Sequence, residues 1–118
     1  MQERRKQRSG SRDEALRLLL ESVLRRSEAS SIAVVDEYGL VVGGAGDEHE
    51  LDILGAVAEP AASGPMSEAC EQLTNGTDVL SRAVSTAHGT MFLAALGERV
   101  PRMHEAARGI ERIFAMTG

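Results

Sequence analysis

The chain has 118 residues, a length suited to one domain, and its 42% hydrophobic and 26% charged residues are the balance of a globular protein. A single cysteine, Cys70, excludes an intramolecular disulfide and a cysteine-cluster metal site, as befits a reducing compartment. The longest unbroken apolar run near the N-terminus, Leu18 to Leu20, is far short of the roughly 7–15 residues of a signal-peptide core or the roughly 20 of a membrane span, so the expectation is a soluble, cytoplasmic protein. The net charge of −5 conceals an asymmetry: residues 1–12 hold five basic groups against Glu3, whereas residues 13–118 hold 8 basic and 17 acidic groups. So acidic a body argues against specific nucleic-acid binding.

Residues 1–12 offer nothing apolar beyond Met1 to bury and read as a flexible basic arm ahead of a single domain over 13–118. Ser11 followed by Glu14 matches a capping box and places a helix start there. Leu16, Leu19, Leu20, Val23 and Leu24 then recur at the spacing of one buried helical stripe, with Arg17, Glu21, Arg25 and Arg26 outside it.

Two strands follow, around 32–35 and 40–42, joined through Asp36, Glu37, Tyr38 and Gly39, with Gly39 suited to positive φ. A second helix opens on Asp47, Glu48 and Glu50, carboxylates that favour its positive N-terminal dipole. Its apolar face is Leu51, Leu54 and Ala58, and Pro60 is expected to end or kink it. Pro65 suits the first turn of a short helix running to about Leu73, before a turn at Asn75 and Gly76. Residues 79–87 and 90–96 read as a second hairpin turned at His88 and Gly89. A last helix begins near Pro101, with the stripe Met103, Ala106, Ala107, Ile110, Ile113 and Phe114. The order is α-ββ-α-ββ-α, with no repeat of solenoid period.

The chemical inventory is sparse. Gly43, Gly44 and Gly46 before a helix invite a phosphate-loop reading, but the lysine and hydroxyl of a Walker loop are missing and Asp47, Glu48 and Glu50 would repel a phosphate. His49, His88 and His104 lie on different elements, and only His49 with Asp52 has even weak ligand spacing. Asp47, Glu48, Glu50 and Asp52 lack the ligand order of a calcium loop and read as an acidic helix cap. Ser85 and Thr86 near His88 point to opposite faces of a strand, and Cys70 lies among acidic neighbours. No catalytic residue, metal site or cofactor site is assigned, and an enzyme is not expected.

The helix stripe over 16–24, the hairpin "AVVDEYGLVV" from Ala33 to Val42, and Glu50, Leu51, Leu54 and Ala56 on the next helix resemble the Roadblock / dynein light chain family over about residues 13–114. The resemblance implies an α/β fold of profilin-like type, an α-β-α sandwich with a central antiparallel sheet. It implies a homodimer built from the second helix, with Leu51, Leu54 and Ala58 at the contact, and the edge strand beside it. It also implies a non-enzymatic scaffold or regulator of small Ras-like GTPases, as in bacterial motility and polarity systems. The family usually has three strands between its second and third helices, whereas this chain shows two. The same hairpin, "VVDEYG" with "DILGAV" after it, is similar to cystathionine-β-synthase-type modules that bind adenosine nucleotides, although those act in tandem and no second copy is present. A small-molecule sensor of GAF type is the other alternative.

Overall fold

The computed structural model describes residues 2–64, 67–75, 77–97 and 103–115, with side chains from residue 12 onward apart from those of 103 and 104. Eight elements follow in chain order: α1 (Gln2–Arg25), β1 (Ala29–Asp36), β2 (Val41–Ala45), α2 (Glu48–Ser63), α3 (Glu68–Leu73), β3 (Val79–Thr86), β4 (Gly89–Gly97) and α4 (Met103–Ala115). The strands form one antiparallel sheet in the order β2-β1-β4-β3. Four strands, with the short helix α3 between α2 and β3, make up the sheet among the described residues.

Strand alternation divides the core in two. Ile32 and Val34 of β1 and Met91, Leu93 and Ala95 of β4 face α1 and α4, where they enclose Leu16, Leu20, Ile110 and Phe114. Ala33 and Val35, with Phe92, Ala94 and Leu96, face the other way and are covered by Leu54 and Ala58 of α2. The result is a three-layer sandwich, with α1 and α4 on one side of the sheet and α2 on the other. Both central strands are buried on both faces, which is why they read as unbroken apolar runs.

The helix boundaries differ from expectation in three places. α1 begins at Gln2, so Ser11 lies inside the helix rather than at its start, and the backbone of the basic segment continues the helix. Gln, Glu, Arg and Lys are good helix formers, and extending a helix already nucleated at its packed end adds one hydrogen bond for each residue fixed. α2 runs through Pro60 to Ser63. A proline in the last turn forfeits one backbone bond, and the packing of Ala58 and Ala62 on the sheet holds that turn in place. α3 starts at Glu68 with Ser67 as its N-cap, its hydroxyl accepting from the Cys70 N–H at 3.3 Å. Pro65, Gly76 and Pro101 lie outside the described residues.

Both hairpins form. In the first, Oδ1 of Asp36 accepts from the N–H groups of Tyr38 and Leu40, each at 2.9 Å, and Gly39 adopts φ +87°. The second closes one residue earlier than expected, through Ala87 and His88, with Thr86 paired to Gly89. The Thr86 hydroxyl donates to the Gly89 carbonyl at 2.7 Å and accepts from the His88 N–H at 3.1 Å, which fixes the tighter turn.

Candidate interaction surface

The glycines in β2 and just after it are explained by packing. β2 is clamped between α1 and α2, and a Cβ on Gly43 would lie 2.6 Å from Cδ2 of Leu16, while one on Gly44 would lie 2.8 Å from Cδ2 of Leu51. Each glycine gives its space to a leucine from the helix on its own side. Gly46, at φ +119°, sits against the Ser31 hydroxyl and the Ser30 carbonyl, so the loop into α2 is filled by the protein's own atoms. Asp47 then caps α2, Oδ2 accepting from the Glu50 N–H at 3.2 Å.

The remaining reactive side chains stay apart. Oε1 of Glu50 accepts from the Ser31 hydroxyl at 2.5 Å, and with Asp47 at the cap two of the five carboxylates of α2 and its cap are engaged locally. No group of three or more His, Cys, Asp or Glu among the described residues could hold a metal ion. His88 packs edge-on to Phe114 with ring centroids 5.9 Å apart, and the Arg12 guanidinium lies 5.6 Å from the same ring on its way across from α1. His49 is exposed at the start of α2, while the side chain of His104 lies outside the described residues. Thr86 is committed to its turn, and Cys70 is half-buried on α3. On the outer side of α4, Arg108, Glu111, Arg112 and Ala115 line an open hollow of about 400 Å³. No helix among the described residues is long and apolar enough to cross a membrane.

The α2 residues expected at a contact between copies face the chain's own sheet. Leu54 and Ala58 are fully enclosed inside a single chain, packed on Ala33, Val35, Phe92, Ala94 and Leu96, and Leu51 is half-buried over Gly44. Helical periodicity identifies a face that must be buried; it does not say whether the chain's own sheet or a second copy buries it. The outward side of α2 is instead Glu48, His49, Asp52, Ala56 and Glu59.

Two features of this layer escaped the sequence reading. Between Arg26 and Arg82 the chain contains no Lys or Arg and eleven Asp or Glu, and that segment supplies β1, β2, α2 and α3. All thirteen Lys and Arg residues lie outside it, and Arg82 shares its strand face with Val84, on the α1 and α4 side. A charge count by segment, rather than by tail and body, would have found this. The second feature is an apolar cluster at the β1–β2 hairpin: Tyr38, Leu40 and Val41 are 82%, 66% and 37% exposed. The hairpin leans on the middle of α2, where a Cβ on Gly55 would lie 3.0 Å from the Gly39 carbonyl oxygen and 3.3 Å from Cγ2 of Val41. Asp52 and Glu59, one helical turn to either side of Gly55, therefore flank the apolar cluster.

At the far edge of the sheet β3 pairs only with β4 among the described residues, and α2 reaches it through a 2.7 Å bond from the Ser81 hydroxyl to the Ala58 carbonyl. Leu80 is exposed on this edge strand.

No protein-family model matches the chain, and no curated protein does. Among solved structures it is similar to the gliding protein MglB from Thermus thermophilus, at a TM-score of 0.56 and 17% sequence identity, over 88% of this chain and 91% of that one. The likeness spans nearly the whole of both chains, and the fold is the Roadblock-like sandwich of helices on a central antiparallel sheet.

Proposed function

We propose that this chain is a non-enzymatic regulatory or scaffold protein that acts as a homodimer on a small Ras-like GTPase or a signalling or motility complex. The observation that carries the reading is the end-to-end likeness of fold to a gliding protein, joined to the family resemblance of the hairpin and helices. Fold alone is an associational warrant, and the surface is its physical complement: the reactive side chains are dispersed or locally engaged, while the α2 layer presents charge and exposed apolar area.

The dimer contact in this reading runs along β3 and the adjoining flank of α2. An edge strand with unpaired backbone groups is a template for a second strand, and a symmetric pairing closes after two copies. Affinity capture of purified small Ras-like GTPases from the same genome, loaded with GTP analogue or GDP, tests the client. Binding that depends on the nucleotide supports the reading, and equal absence of binding in both states overturns it.

A further inference from the structure

We propose that the acidic hairpin–α2 surface is a receptor for the basic N-terminal turns of α1 from a second copy, so that dimers join head to tail. Charge placement and exposure carry this contact, and no GTPase client is needed for it.

The receptor is the Tyr38, Leu40 and Val41 cluster with the exposed carboxylates Glu37, Asp52 and Glu59 around it. The sole ion pair among the described residues joins Arg17 and Glu21 on α1, so these carboxylates have no cationic partner among those residues. The complementary element is residues 2–8, where Arg4, Arg5, Lys6 and Arg8 stand against one acidic residue, Glu3. Arginine dominates that set and suits a mixed site: its guanidinium stacks on an aromatic ring such as exposed Tyr38, its stem covers apolar side chains such as Leu40 and Val41, and its fork binds carboxylates.

Geometry makes the contact intermolecular. α1 is an unbroken helix from Gln2 to Arg25 and packs on the side of the sheet opposite α2. A continuous helix cannot fold its first turns back across the sheet onto its own α2, whereas the helix of a neighbouring molecule meets no such obstacle. Joining one surface to a different one is a heterologous contact, which propagates instead of closing. The receptor lies at the β2 edge and the proposed dimer contact at the opposite, β3 edge, so both can operate at once.

Sedimentation velocity on the full chain tests this. At an ionic strength of about 0.05 M the expected result is species larger than a dimer that grow with concentration. They should be lost near 0.5 M, where charges are screened within about 4 Å. The double variant Asp52→Lys with Glu59→Lys, and the triple variant Arg4→Glu, Arg5→Glu with Arg8→Glu, each lose the larger species alone, and an equimolar mixture regains them. Tyr38→Ala weakens the assembly at least threefold. Absence of larger species in the wild type, their persistence in both charge variants, or a mixture that fails to regain them overturns the proposal. Should the lysine variant not fold, Asp52→Asn with Glu59→Gln replaces it, and undiminished assembly is then the overturning result.

Discussion

Ser31, fully buried on β1, donates its hydroxyl to Oε1 of Glu50 at 2.5 Å and so ties the central strand to the first turn of α2. The partner is a carboxylate, and hydrogen bonds to charged groups are worth about 1.5–3 kcal/mol. Ser31→Ala should therefore lower unfolding stability by about that amount, read as a fall in urea midpoint at unchanged m-value. Gly46→Ala should cost more, because its Cβ would meet the same hydroxyl and its φ of +119° is unfavourable for any side chain.

Gly43→Ala and Gly44→Ala separate packing from ligand binding. Each methyl group would press on a leucine, Leu16 or Leu51, that is itself held against the sheet. Overpacking of this kind costs about 1–3 kcal/mol, and thermal unfolding should record it. A ligand that binds the folded state raises the melting temperature by mass action. ATP or AMP at millimolar concentration should leave that of the wild type unchanged, and a clear rise would restore the nucleotide-sensor alternative.

Pro60→Ala should stabilise the protein. The substitution supplies the N–H that the Ala56 carbonyl lacks and removes the clash of a ring inside α2. Loss of proline's restraint on the unfolded chain offsets part of the gain, leaving about 1 kcal/mol to be seen in chemical denaturation.

Leu80→Glu tests the dimer edge. Leu80 is 37% exposed on β3, so the change should leave the circular dichroism spectrum intact. A charge facing its symmetry mate across a two-fold contact should weaken dimerisation at least tenfold in a sedimentation equilibrium measurement. An unchanged dimer would move the contact away from β3.

Most of the elements are written in the residue order alone. The leucine stripe of α1 sits where its spacing puts it, Asp36 and Gly39 close their hairpin, and Ala106, Ala107, Ile110 and Phe114 bury the face of α4 that their period requires. These are local consequences of 3.6- and 2-residue periods and of turn chemistry. Which element covers which emerges with the packed molecule. Leu54 and Ala58 are spent on the chain's own sheet, Gly43 and Gly44 leave room for Leu16 and Leu51, and Pro60 is carried inside a helix by its neighbours. The acidic segment became a surface in the same way: Glu37, Asp52 and Glu59, distant in sequence, come around one apolar cluster because the β1–β2 hairpin leans on α2. Periodicity reports that a face must be hidden, whereas the partner that hides it is fixed by contacts distant in the chain.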